Sequence, residues 1–590
     1  MQCELVTDFS RLEELSADWN RWVRNDESAT IFQRWEWIKA YWSAYRNAYS
    51  LCSVLIREGP RPLGVLPLVR RGRAIELLGA REGDYNDLIT DAPEPARLLE
   101  AALSFLLAAP VDWNTITFDK IPSRSKIYRS LESLPAAMRR RLHLVFRCDS
   151  PTVLVSSDTA AGLDTLIRKK QLERYEKKLQ RLGPVVFRHF DTREEARRQL
   201  DRFFDQHVTR WAMAQESSQF RDAECRDFYR ALVEEFDPRE DLRFGALEVN
   251  SQPIAYHFGF QSRGTLTWYK PSFDVNYWDY CPGDVLLRGL LQYVRSANLN
   301  ELDFTLGDEP FKYRFANHTR ENYILYMERH PHRVNAYART LTRYGQHALR
   351  KRPQLKSKLK ALLRRARAAA LPPGAAARAG WRRVSGVTAG LCRRIWSVDH
   401  VRFWALKTRP QPEEAKIEIA PASLDDLVRL SVDFGDFLTP EQLHGYRRMV
   451  KQGRRVFIAR ATTGAFVLAA SEYDEIRVPS EDSSDALKLP ERLWVISESW
   501  QAPNPHRTRV NGDIFRALGA HLPGKEIWFY DGGKARISQD VIRSAGLEFR
   551  CRWARSSLLR RFGRARLEAP GMANAPVLTS SNPVRVGLGN

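Results

Sequence analysis

Polar and apolar positions along this chain follow an order that repeats three times. In SLCSVLIREGPRPLGVLPLVRRG (Ser50 to Gly72), LRFGALEVNSQPIAYHFGFQSRG (Leu242 to Gly264) and RRVFIARATTGAFVLAASEYD (Arg454 to Asp474), a β-rich run leads to a polar turn holding Gly, Pro or Asn-Ser, and then to a second apolar run. Each predicts a hairpin. Strand-like AIELLG, TLTWYKP and RLWVISESW come next, then helical RLLEAALSFLLAA, GDVLLRGLLQYVRSA and NGDIFRALGAHL, and finally the strands NTITFDK, ELDFTLG and KEIWFYDGG. A hairpin pairs antiparallel and a strand-helix-strand crossover pairs parallel, so each unit predicts a mixed sheet with helices packed on it. Helical segments precede each hairpin, and in one of them Trp35, Trp37, Tyr41 and Trp42 form a stripe that reads as core.

A chain of 590 residues is too long for one core, and its 43% hydrophobic and 28% charged residues are those of a soluble globular protein. The start, MQCELVTDFSRLEEL, lacks the basic flank and apolar core of a secretory signal, and LLEAALSFLLAAPV is too short to span a bilayer. The seven cysteines are scattered and never form a CxxC pair, which argues against a disulfide framework or a zinc site and fits a reducing cytoplasm. The net charge of +22 is concentrated: Arg329 to Val398 holds 18 Lys and Arg and no acid. The surplus belongs to one connector. Units are therefore expected at 1–155, 156–328 and 413–566, with a basic helical linker at 329–412 and a disordered tail at 567–590.

The order of hairpin, central strand, helix and next strand resembles the GNAT acyltransferase fold, and two such modules in tandem resemble the Fem-type transferases of peptidoglycan assembly. Leu5 to Met327 resembles the bacterial acetyltransferase-like family associated with cellulose and exopolysaccharide biosynthesis. FQRWEWIKAYW, LGAREGDYNDLI, YCPGDVLLRGLL and above all DFTLGDEPFKYRFA carry that resemblance. Glu418 to Trp553 resembles a single further GNAT domain. The fold class expected is α/β (α+β), with tandem GNAT-like modules, mixed central sheets, the basic linker and a third GNAT-like domain. The resemblance implies an N-acyltransferase that takes acyl-CoA (acetyl-CoA or longer) as co-substrate, without a metal, and acts on an amine acceptor such as an amino sugar or another envelope or exopolysaccharide precursor. Two alternatives stay open: an aminoacyl-tRNA-dependent Fem-like transferase, and a catalytically degenerate fold kept as a membrane or assembly-binding module.

Acyl transfer to an amine needs a phosphate cradle, a deprotonated amine, stabilisation of the oxyanion and a proton for the leaving thiolate. GNAT domains cradle the pyrophosphate with Q/R-x-x-G-x-G/A at a helix N-terminus. Here that place holds Asp279 to Asp284, where Pro282 and Gly283 open a helix and Asp284 opposes phosphate, and in the third module Arg509 and Gly512 make half a match. In LGDEPFKYRFAN the strand ends at Thr305 and a helix is expected near Pro310. Asp308 would be its N-cap, carried also as a substrate contact, and Lys312 would lie at the wrong end of its dipole. The resemblance places the Lys312 ammonium at an oxyanion or substrate phosphate, against a salt bridge to Asp308 or Asp303. Phe311 stands where the family often has a hydroxyl-bearing aromatic, which leaves Tyr313 and Tyr269 as proton donors. His257 is either a base acting through water or a core histidine. Asp84, Tyr85, Asn86 and Asp87 are turn formers that the resemblance places beside the acceptor.

In RKRPQLKSKLKALLRRARAAA the leucines recur at helical spacing among Lys and Arg. Such a helix suits an anionic inner-membrane surface, a plain linker or, less readily, tRNA. A lipid-linked sugar acceptor would match a cytoplasmic protein peripheral to that membrane.

Overall fold

The computed structural model describes residues 1–155, 160–214, 216–330, 396–406, 418–433, 438, 440–461, 464–477, 486–501, 527–532, 547–558, 562–568 and 577–579. The chain divides into two compact units, one of residues 1–211 with 217–361 and one of 212–216 with 362–590.

Unit 1 carries β1 (Gln2–Val6), β2 (Ser50–Leu51), β3 (Ser53–Glu58), β4 (Arg61–Leu66), β5 (Leu68–Arg71), β6 (Ala74–Leu77), β7 (Thr115–Pro122), β8 (Leu142–Leu154), β9 (Val185–His189), β10 (Leu242–Val249), β11 (Gln252–Ser262), β12 (Thr265–Phe273), β13 (Glu301–Asp303) and β14 (His318–Glu328). Eleven of these make one mixed sheet, in the order β2, β5, β6, β7, β14, β8, β13, β12, β11, β10, β9, while β1, β3 and β4 make a small antiparallel one. The α/β architecture expected from the repeats is thus present, with hairpins β3/β4 and β10/β11 where the sequence places them.

Each half has one parallel pair, and each pair is three residues long. In the first half Ala74, Ile75 and Glu76 face Thr115, Ile116 and Thr117. In the second, Thr265, Leu266 and Thr267 face Glu301, Leu302 and Asp303. Beyond these pairs the strands no longer bond to each other. Helix Pro95–Ala108 buries Leu98, Leu99, Ala102, Leu103 and Leu106 against Ile75, Leu77, Ile116 and Phe118. Helix Pro282–Ser296 buries Val285, Leu286, Leu290 and Val294 against Leu266, Trp268, Leu302 and Phe304. Each such side chain contributes about 1.5–3 kcal/mol. Gly289 allows the close approach of that helix to β9, since a Cβ there would stand 2.8 Å from the Phe187 Cβ.

The halves are joined by an exchange that the repeat does not announce. β14, at the end of the second half, lies between β7 of the first half and β8. β8 in turn pairs with β13 of the second half. On the other face of the second half, helices Arg193–Met213 and Ala223–Glu235 bring Phe203 and Tyr229 against Phe258. The aromatic stripe joins this core: Trp35, Trp37 and Tyr41 are buried, and Trp37 packs edge-on against Phe228, Phe260 and Tyr269.

Unit 2 has strands Glu418–Pro421, Arg455–Ala461, Gly464–Arg477, Ala486–Gln501, Ile527–Gly532, Trp396–Leu406, Leu547–Leu558 and Phe562–Glu568 side by side. A third short parallel pair recurs there, Trp494, Val495 and Ile496 facing Ile527, Trp528 and Phe529. Trp396–Leu406, assigned above to the connector, is a strand of this sheet, and Val577–Thr579 in the tail pairs with Ala486–Gln501. Arg509, Gly512, the NGDIFRALGAHL segment and the basic stretch 331–395 lie outside the described residues. Among the described residues no helix is long and apolar enough to cross a membrane.

Candidate active site

The strands β12 and β13 part after Thr267 and Asp303, and β12 bulges at the same level. Its pairing with β11 steps from Phe260↔Thr267 to Phe258↔Lys270, three residues against two. A bulge re-aims side chains. Here Tyr269 packs on Phe32, Trp37 and Phe260, and the Lys270 ammonium lies 4.3 Å from the Tyr269 ring centre.

Into this parting comes the first half's loop after β6. Tyr269 donates its hydroxyl proton to the Glu82 carbonyl at 2.6 Å, and Tyr85 donates to Asp303 Oδ1 at 2.9 Å. Lys120, in the left-handed region at φ 61°, donates to the Gly83 carbonyl at 2.8 Å and stands 3.7 Å from the Asp84 carboxylate. Gln33 donates to the Tyr85 carbonyl. The Glu82 carboxylate accepts from Tyr45 at 2.8 Å and from Gln219 at 3.3 Å. Tyr85, Asp84 and Tyr269, far apart in sequence, are therefore brought together.

Asp303 is the electrostatic centre of the arrangement. Burial and the neighbouring Glu301 push its carboxyl up to about 6, against the pull of Arg320, the Thr305 N–H and the Tyr85 hydroxyl. Arg320 pairs with both Glu301 oxygens and stands 3.8 Å from Asp303. Thr305, at φ 55°, donates its N–H to Asp303 Oδ1 at 2.8 Å. Burial, and then the Glu82 charge, hold Tyr269 well above the ordinary phenol value. Burial lowers Lys120, with Asp84 and Asp119 opposing.

The remaining candidates lie elsewhere. No helix starts at Pro310: the segment has only a 3-10 turn, Lys312–Arg314, with Phe311 at its N-cap. Asn317 explains the arrest, since its amide group bonds the Leu154 N–H and carbonyl at 2.8 and 2.9 Å and lays the chain onto β8. The N-cap of that turn is Phe311 and not Asp308, which accepts from the Asp149 N–H at 3.2 Å. Lys312 does not meet a helix dipole, nor Asp308 or Asp303. Its ammonium, 5% exposed, donates to the Leu306 carbonyl at 2.8 Å and pairs with Glu309 at 2.9 Å, closing the loop after β13. Tyr313 is exposed, with its hydroxyl 3.3 Å from Asp149.

Asp87 receives the N–H groups of Leu88, Lys126 and Ile127, which makes it a clamp on helix Lys126–Ser130. His257 is wholly buried against Trp268, and burial pushes its pKa down to about 3. Cys281 is the N-cap ahead of Pro282, at φ 53°, and Arg314 pairs with Asp284 at 3.0 Å. The acid that opposed a phosphate at this helix N-terminus is thus neutralised, and Gly283 presents only backbone there. Among the described residues no group of three or more His, Cys, Asp or Glu could hold a metal ion.

Glu82, Lys120, Lys270 and Gln219 escaped the sequence reading: the first three stood inside the quoted LGAREGDYNDLI, NTITFDK and TLTWYKP without a role, and no local signal marks Gln219.

Residues 167–313 match the family model described as an acetyltransferase (GNAT) domain. No curated protein sequence matches the chain. Solved structures similar to it include FemX, at 9% identity over 56% of this chain and 98% of that one with a TM-score of 0.39. A second is the C-terminal domain (DUF2156) of a putative lysylphosphatidylglycerol synthetase from Agrobacterium fabrum, at 11% identity over 57% and 97% with a TM-score of 0.36. A third is a tandem GNAT protein from the clavulanic acid biosynthesis pathway, at 12% identity over 56% and 100% with a TM-score of 0.33. The stretch of this chain that is similar to GNAT acetyltransferase domains contains the parting of β12 and β13, together with Tyr269, Asp303 and Lys312.

Proposed function

We propose that residues 1–330 transfer an acyl group from acyl-CoA to an amine, at the parting of β12 and β13. The proposed acceptor is an amino sugar or a related precursor of the cell envelope or of an exopolysaccharide, free or lipid-linked. The observation that carries this reading is the parted, bulged pair with a protonated phenol, Tyr269, inside the stretch similar to GNAT domains. When bound, acyl-CoA supplies the activated acyl group. The Gly283 backbone and the Arg314 cation would hold its phosphates. Tyr269 would give its proton to the leaving sulfur, and Asp84 would hold the acceptor amine. Tyr85 and Asp303 fix the loop that presents Asp84.

Calorimetric titration with acetyl-CoA and longer acyl-CoAs tests the reading, and no binding at millimolar concentration ends it. Replacing Tyr269 with Phe is expected to lower kcat by about a hundredfold. A second reading, transfer from aminoacyl-tRNA, is favoured by one feature, the absence of a Q/R-x-x-G-x-G/A loop at Asp279 to Asp284. Transfer from a charged tRNA, with acyl-CoA inert, would select it.

A further inference from the structure

Helix Lys170–Gln180, between β8 and β9 in the chain, has two faces of opposite character. Leu172, Tyr175 and Leu179, at i, i+3 and i+7, pack into the core that holds helix Pro282–Ser296. Glu173 and Glu176 turn the same way, since both pair with Arg288 of that helix, Glu173 at 3.9 Å. With its acids engaged inward, the helix shows one sign of charge outward. Lys170, Arg174, Lys177, Lys178 and Arg181 recur at i, i+4, i+7, i+8 and i+11, a single row, and all five are exposed. At the rise of an α-helix the row is about 16 Å long. Among the described residues no carboxylate pairs with any of the five.

Both ends of the helix are tied to elements around the opening of helix Pro282–Ser296. Lys178 donates to the Asp279 carbonyl at 2.7 Å, with its ammonium 5.0 Å from the Tyr280 ring centre. Lys169 donates to the Arg314 carbonyl. The row therefore borders the helix N-terminus assigned above to the donor phosphates. Apolar side chains are exposed beside it. Leu182, next after Arg181, is 40% exposed, and Trp278, next before Asp279, is 36% exposed. Like charges at i, i+4, here Lys170 with Arg174, Arg174 with Lys178 and Lys177 with Arg181, repel one another, and an anionic surface relieves that repulsion. A bilayer headgroup layer offers phosphate to the row and an interface to Trp278 and Leu182, whereas a nucleic acid backbone would match the row and leave Leu182 without a partner.

We propose that the outer face of helix Lys170–Gln180, with Leu182 and Trp278, docks on an anionic membrane surface and so holds the opening of helix Pro282–Ser296 at the headgroup layer. The inference deepens the acyl-transfer reading by selecting the lipid-linked acceptor, and it rests on that reading for the use of the docked site. A polybasic face alone attaches reversibly, and stable attachment takes a second signal, a role that the basic stretch Lys351 to Ala370 can fill.

Sedimentation of the full chain with vesicles of phosphatidylglycerol and phosphatidylcholine in equal parts tests this, with phosphatidylcholine alone as the reference. Binding is expected to the anionic vesicles only, and to weaken with salt. The triple variant Lys170→Gln/Arg174→Gln/Lys177→Gln should lower the partition coefficient about a hundredfold, at about fivefold per charge. Arg61→Gln/Arg71→Gln/Arg140→Gln removes three exposed bases elsewhere, changes the net charge equally, and should lower it less than about fivefold. Lys177→Glu, a change at one exposed side chain, should lower it about twentyfold by itself, which keeps the test in force where the triple variant melts lower. Absence of binding to the anionic vesicles by the wild-type protein overturns the proposal. So does an equal loss in the two triple variants, or binding that Lys177→Glu leaves intact. Binding of a duplex RNA that Lys177→Glu weakens, with vesicle binding unchanged, gives the face to a nucleic acid and overturns it as well. Acyl-CoA calorimetry on the same protein separates the two claims. Vesicle binding through the row without acyl-CoA binding leaves the docking face standing and removes the acyltransferase reading, and the reverse removes the docking face alone.

Discussion

Replacing Tyr85 with Phe removes one oxygen from the interior and leaves the ring; the hydroxyl also bonds Ser150, so it is the pH-dependent part of the cost that reports its bond to Asp303. The bond is 2.9 Å long, buried, and spans 218 residues of sequence. A hydrogen bond to an ionised carboxylate contributes about 1.5–3 kcal/mol and one to a neutral carboxyl about 1 kcal/mol. The difference raises the Asp303 pKa by about one further unit in the variant. The native pKa, about 6, is already above the ordinary 3.8, so the folded protein binds this proton more tightly than the unfolded chain does. The stability owed to this carboxyl accordingly falls as pH rises from about 4 to 6, and its penalty is complete above that. Tyr85→Phe should therefore cost about 2 kcal/mol at pH 8 and about 1 kcal/mol at pH 5. Urea unfolding followed by tryptophan fluorescence at the two pH values measures both, and Asp303→Asn completes a double-mutant cycle. An equal loss at pH 5 and pH 8, or no coupling in the cycle, would refute the account of Asp303 as a carboxylate held by Tyr85.

Lys312→Met should destabilise the loop after β13 by about 1.5–3 kcal/mol, through loss of the bonds to Leu306 and Glu309, and lower acyl transfer more than tenfold. Full activity with a lowered melting temperature would leave Lys312 a loop closure alone. His189, His207 and His257 are all held below their ordinary 6.5, mainly by burial, so each removes stability as pH falls through 6.5, by about 1.4 kcal/mol per pH unit. His257→Leu should make unfolding less sensitive to acid between pH 7 and 5 without altering the pH profile of kcat; a shifted profile would return His257 to the mechanism. Deleting Lys351 to Ala370 takes out eight Lys and Arg, each contributing about 1 kcal/mol at an anionic surface, and should release the protein from anionic vesicles in a sedimentation assay. Unchanged binding would rule out a membrane role for this stretch.

What the linear order of residues carried was the local half of the fold. Period-2 runs, turn residues and 3.6-period stripes located the three hairpins and the strands that follow them, because those patterns depend on neighbours within a turn or a hairpin. The same locality misled at Pro310, where good helix-starting residues are overruled by Asn317 bonding across to Leu154. It also made Lys312 look like a cation at the wrong end of a dipole, when its partners lie within the same loop. Only the tertiary structure decided that β8 and β14 change places between the halves and fuse them into one sheet. That exchange and the docked loop bring Asp84 and Tyr85 to Tyr269 and Asp303, and past the bulge in β12 the Lys270 ammonium rests on the Tyr269 ring. These are pairings between residues tens to hundreds of positions apart, selected by burial, charge and hydrogen-bond satisfaction in the assembled core. No periodicity within either partner encodes the identity of the other.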